Sequence, residues 1–139
     1  MCVALVLCAH VQAHAANAAT VLVLGDSISA GYGIQREQGW VHLLAQRLAK
    51  TTPRFEVVNA SVSGDTTGGG LARLPDLLAR HQPRLVIVEL GGNDGLRGYP
   101  VQRMRANLER IVDTAQASGA KVLLVGMEIP PNYGQRYVT

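Results

Sequence analysis

Cysteine is nearly absent from this 139-residue chain, occurring only at Cys2 and Cys8. Residues 20–139 therefore contain none, and that stretch must hold itself without a disulfide. Aromatic residues make up only 4% of the chain, and no basic patch is interleaved with them. Nucleic-acid binding, which calls for a basic track with stacking rings, finds no support. Charge is sparse as well, at 17% with a balance of +3. Arg103, Arg105 and Arg110 share one stretch with Glu109 and Asp113, the pattern of a solvated helix face. The apolar run at residues 2–9 is too short to cross a bilayer, so no stable membrane anchor is expected. Two glycine-rich stretches also fail the nucleotide patterns. Gly68-Gly-Gly70 lacks the lysine and spacing of a phosphate loop, and Gly31-Tyr-Gly33 has no Gly or Ala at position 36. No cofactor is expected.

Internal repeats, low-complexity tracts and linkers are missing too, which points to one domain. A chain of this length buries about two-thirds of its unfolded surface, enough for a single core. Residues 1–19 stand apart and read as an export signal. A short apolar run leads into small residues, with Ala13-His-Ala15 and Ala16-Asn-Ala18 as cleavage patterns. No positive charge precedes the run, and a buried amino-terminal strand is the alternative. Leu7 before Cys8 is a poor lipoprotein signal. The expected location is periplasmic or secreted.

The rest alternates two periodicities. Apolar runs at residues 21–24, 55–58, 85–88 and 121–125 predict four strands. Residues 39–51 predict a helix with Trp40, Leu43, Leu44 and Leu48 on one stripe. Leu71, Leu74, Leu77 and Leu78 predict a second, which Pro75 should kink or restart. Pro100 opens a third, with Val101, Met104, Leu108, Ile111, Val112 and Ala115 in register and Gly119 closing it. This order implies an α/β fold, a parallel sheet covered by helices on both faces.

Three of the four strands run into segments rich in Gly, Ser, Asn and Asp. In a parallel sheet these gather at the carboxyl edge, where ligands bind. Ser27 follows the first strand, where a helix should begin, close to unpaired N–H groups and a positive dipole end. That setting suits a nucleophile whose reaction creates an oxyanion nearby. The blander reading is that Asp26 and Ser27 merely cap a helix. Gly64, after the second strand, can bring a bare backbone N–H close to a substrate. Asn93, after the third, offers a neutral amide donor for an oxyanion. Asp26, Asp65 and Asp94 flank these residues. A metal cluster is conceivable, but turn and cap hydrogen bonds are the commoner use, and no metal is expected. Glu89 reads as structural, with a raised pKa as the alternative.

In order and spacing, these blocks resemble the SGNH hydrolases, a branch of the GDSL esterases and lipases. Gly-Asp-Ser27-Ile-Ser is similar to the serine block, Ser-Gly64-Asp-Thr to the glycine block and Gly-Gly-Asn93-Asp to the asparagine block. The resemblance extends to the bacterial secreted thioesterase, arylesterase and lysophospholipase subgroup through Leu71-Ala-Arg-Leu-Pro75, Gly95-Leu-Arg-Gly98 and Pro131-Asn-Tyr-Gly134. It implies a flavodoxin-like three-layer sandwich over residues 20–139, incomplete at the carboxyl end, with the last strand and helix missing. It further implies Ser27 as nucleophile and backbone oxyanion donor, Gly64 as a second backbone donor and Asn93 as a side-chain donor. The substrate would be a small acyl ester, thioester or lysophospholipid.

The family's fourth block, Asp-x-x-His, occurs nowhere in the sequence, so the general base and its aspartate are absent from this chain. His42 lies in a helical stretch and His81 at a helix end favoured by the dipole; neither is expected to replace the base. This chain alone is expected to be nearly inactive and a longer product to be a working esterase. The alternative is an inactive truncated relative or a flavodoxin-like ligand-binding module. The fourth strand would be left as an unpaired apolar edge, making the chain poorly stable or oligomeric. Tyr133 and Arg136 either line an acyl pocket or end a loop.

Overall fold

The computed structural model describes residues 18–52 and 54–127. The expected export signal through residue 17, both cysteines, the block at residues 131–134 and Arg136 lie outside the described residues. Four parallel strands form the sheet: β1 (Ala19–Gly25), β2 (Phe55–Asn59), β3 (Leu85–Glu89) and β4 (Lys121–Leu124). Their order is β2-β1-β3-β4. Val21 pairs with Val57 on one side and with Leu85 on the other, and β1 is flanked on both sides from Val21 to Val23. Its continuous apolar run is what a parallel strand buried on both faces requires.

Alternation along the strands divides the core in two. Leu22, Leu24, Val86 and Val88 meet Leu74 and Leu78 of α3 (Thr67–His81) and Ile111 and Ala115 of α5 (Val101–Ala117). Val21, Val23 and Ile87 point the other way, onto Val41 of α2 (Trp40–Thr51), with Trp40, Leu44 and Leu48 packed around them. The expected three layers are present.

Two details of the helices differ from expectation. Leu43 is 51% exposed, and Val41 takes its place in the core. At about 100° per residue, positions 40, 44, 48 and 41 span an arc of about 100°, and position 43 lies about 60° outside it. Pro75 does not restart α3, which runs through it unbroken. A proline removes one backbone bond, and here buried Leu74 and Leu78 pin the helix beside it. Three short elements complete the described residues: α1 (Ser27–Ala30), a 3-10 turn (Arg36–Gln38) and α4 (Gly92–Leu96). The helix expected at Ser27 is thus a single turn, closed by Gly31 in the left-handed region.

The connection from β1 leads to β2 on one side, whereas β3 lies on the other side of β1. Such a reversal opens a crevice at the carboxyl ends of the two central strands. Ser27 leaves β1 and Asn93 leaves β3 at that crevice.

Candidate active site

Ser27 is the first residue of α1, partly buried, and its Oγ has no hydrogen-bond partner among the described residues. Asp26 caps the turn, its Oδ1 accepting from the Ile28 N–H at 3.0 Å. Capping and a catalytic place for Ser27 are therefore compatible, because the aspartate caps and leaves the serine hydroxyl free.

Asn93 binds the three blocks together. Its Nδ2 donates to Asp26 Oδ2 at 3.0 Å and to the Asp65 carbonyl at 2.9 Å. One amide thus ties the segment after β3 to those after β1 and β2. Both hydrogens of that amide are engaged in this arrangement, so acting on a substrate oxygen means sharing or releasing one. Gly64, next to Asp65, has φ +79°, a conformation that any residue with a Cβ resists. Arg97 Nη2 holds the Gly64 carbonyl at 2.9 Å. Neither the Ser27 nor the Gly64 backbone N–H donates a hydrogen bond among the described residues. Among the described residues, two unpaired N–H groups and an unpartnered hydroxyl thus lie on segments that the Asn93 amide ties together.

The flanking aspartates do not converge. Asp65 accepts from the Thr66 N–H and forms a two-pronged ion pair with Arg73, at 3.1 and 2.6 Å. Asp94 accepts from both the backbone and the hydroxyl of Thr67, at 2.8 and 2.6 Å, and Asn107 donates to that hydroxyl. Each carboxylate serves a turn or a helix start. His42 pairs with Gln46 Nε2, and His81 ends α3, as its sequence position implied.

Two residues along α1 from Ser27, at Ser29, lies a polar cluster that sequence reasoning missed. Ser29 Oγ donates to Glu89 Oε2 at 2.6 Å and accepts from Trp40 Nε1 at 3.2 Å. Glu89 is buried, and its Oε1 has no hydrogen-bond partner of good geometry among the described residues. Burial pushes this carboxyl above the ordinary carboxylate range, and the negative Asp26 adds to the shift, while the Ser29 hydrogen bond partly opposes it. Its raised pKa was the alternative weighed from sequence. The one available signal was an acidic residue at the end of a buried parallel strand. An apolar cavity of about 290 Å³ adjoins the cluster, lined by Ile28, Trp40, Glu89, Val125, Gly126 and Met127.

Comparison with known proteins identifies a family and related folds. The model of the GDSL-like Lipase/Acylhydrolase family matches residues 23–138. Esterase TesA of Pseudomonas aeruginosa is 56% identical over 137 residues, a match covering 99% of this chain and 66% of the relative. Thioesterase 1/protease 1/lysophospholipase L1 of Escherichia coli is 51% identical over 123 residues, covering 88% of this chain and 58% of the relative. Among solved structures, psychrotrophic esterase EstA from Pseudoalteromonas, inhibited by monoethylphosphonate, superposes with a TM-score of 0.80 at 49% identity. That match covers 86% of this chain and 65% of EstA. The matches thus span 58–66% of the length of these relatives.

Proposed function

Because this chain belongs to the GDSL-like lipase/acylhydrolase family, we propose that it carries the nucleophile and oxyanion site of a carboxylic ester and thioester hydrolase. The observation that supports this reading is the Asn93 amide bonded to both Asp26 and Asp65, the neighbours of Ser27 and Gly64. Ser27 Oγ attacks the acyl carbonyl, and the alcohol or thiol leaves. Water then hydrolyses the acyl-enzyme. The Ser27 and Gly64 N–H groups and Asn93 Nδ2 receive the negative oxygen of the tetrahedral intermediate, each contributing about 3–4 kcal/mol. The base that deprotonates Ser27 is not among the described residues, since neither His42 nor His81 bonds to Oγ.

Small acyl esters, thioesters and lysophospholipids are the substrates that the relatives' names support. The binding-module alternative receives no such support. Export to the periplasm or medium remains part of the proposal, on the pattern of residues 1–19, and cell fractionation tests it. The function is tested with a fluorophosphonate probe and a short p-nitrophenyl ester on the full-length gene product. Labelling at Ser27 and hydrolysis, both lost in Ser27→Ala, are the expected results. Hydrolysis that survives Ser27→Ala would refute the assignment.

A further inference from the structure

A single helical turn cannot hold itself, because so few residues supply too few internal bonds to offset the entropy of ordering them. α1 has four residues, yet it carries the nucleophile. Its anchors must come from elsewhere, and they converge on Ser29. That residue is 2% exposed. Its hydroxyl donates to Glu89 and accepts from Trp40, and its carbonyl accepts from Asn59 Nδ2 at 2.8 Å. Ser29 also lies against Gly25, where a Cβ would come within 2.6 Å of the Ser29 side chain. Gly25 and Glu89 are register partners on the two central strands. Residues two apart on a helix point about 200° away from each other, so Ser29 roots the turn while Ser27 faces the crevice.

We propose that Glu89 is a positioning residue for the nucleophile: by clamping Ser29 to the end of β3, it fixes the rotation of the turn that aims Ser27 Oγ. The proposal rests on the hydrolase reading above. Among the described residues Glu89 Oε1 is buried without a hydrogen-bond partner, an arrangement that costs stability. A residue selected for packing alone would be apolar here. Trp40 and Asn59 hold Ser29 from α2 and β2, but among the described residues Glu89 alone ties it to the strand from which Asn93 departs.

The test compares Glu89→Met, Glu89→Gln, Ser29→Ala and the Glu89→Met/Ser29→Ala double variant in the full-length product. Fluorophosphonate labelling rate at Ser27, kcat and KM are measured alongside amide hydrogen exchange at residues 28–31. Glu89→Met and Ser29→Ala should each slow labelling and lower kcat by tenfold or more, on the order expected for a misaimed nucleophile. KM should hold within about twofold, as for a loss confined to the transition state. The double variant should be no slower than the worse single one, because both break one link. Glu89→Gln keeps an acceptor for Ser29 and should recover most of the loss. Exchange at residues 28–31 should rise in the slow variants alone. Should Glu89→Met not fold, Glu89→Gln and Ser29→Ala carry the comparison by rate and exchange. Full rates in all variants, multiplying losses, or a glutamine as slow as the methionine would overturn the proposal. A wild type unlabelled at Ser27 would instead overturn the hydrolase reading itself.

Discussion

Gly25 is where a single atom decides whether the site can form. A Cβ there would sit 2.6 Å from both Cβ and Oγ of Ser29 and 2.9 Å from Ser61 Oγ. Ser29 cannot retreat, since its hydroxyl is held from two sides. Gly25→Ala should therefore cost about 1–3 kcal/mol, the usual range for overpacking. Urea unfolding reads the loss, and an unchanged midpoint would show that the turn has room to shift. Asn93→Ala should lower kcat by about 10²–10³, the typical effect of losing one oxyanion donor, with KM as the control. At this scale the sequence made the actors legible but not their connections. Ser27, Gly64 and Asn93 stand out because each follows a strand in a segment of turn residues. The bonds from Asn93 that tie their segments together span 28 and 67 positions. No local pattern encodes such separations; only the strand order brings the ends together.

The elements themselves were easier to read, because periodicity is a local property. All four strands and the three long helices fall where the apolar spacing put them. The misreadings have tertiary causes. Leu43 looks like a core residue until the sheet selects the neighbouring arc, and Pro75 looks like a break until buried leucines hold the helix around it. α4 was invisible, being one turn of glycine-rich chain held by its neighbours rather than by propensity. Its attachment to α3 shows how. Asp94 on α4 accepts from the N–H and hydroxyl of Thr67, the first residue of α3, and Asn107 of α5 donates to the same hydroxyl. Thr67→Val keeps the shape but leaves an Asp94 oxygen and the Asn107 amide without that partner. All of this is buried around Thr67 and Asp94. The expected loss is about 1–3 kcal/mol, read as a lower urea midpoint at unchanged slope. A variant as stable as the wild type would mean that water or a rotated side chain replaces the bonds.

For the whole molecule, two features set stability. Among the described residues β4 bonds only to β3, and Leu123 and Leu124 are about half exposed. An apolar strand edge of this kind invites pairing with another chain. The 139-residue polypeptide should associate with rising concentration, and Leu124→Lys should reduce that association in sedimentation velocity. A dilute and concentrated wild type that both run as monomers would refute the expectation. The second feature is the buried Glu89 carboxyl, whose pKa burial raises above the ordinary value. The folded chain then binds this proton more tightly than the unfolded chain does. By linkage, stability falls as pH rises wherever the native state holds more protons. The loss begins near the ordinary carboxylate pKa, where the unfolded chain ionises, and is complete above the raised folded value. The other carboxylates contribute to both wild type and Glu89→Gln, so the difference between the two isolates Glu89. That difference, measured as melting temperature from about pH 4 to about pH 8, should move in favour of the glutamine variant with rising pH and then level off. A difference that stays flat across the range would mean that Glu89 ionises as readily folded as unfolded. The unpaired Oε1 would then have to find a partner beyond the described residues.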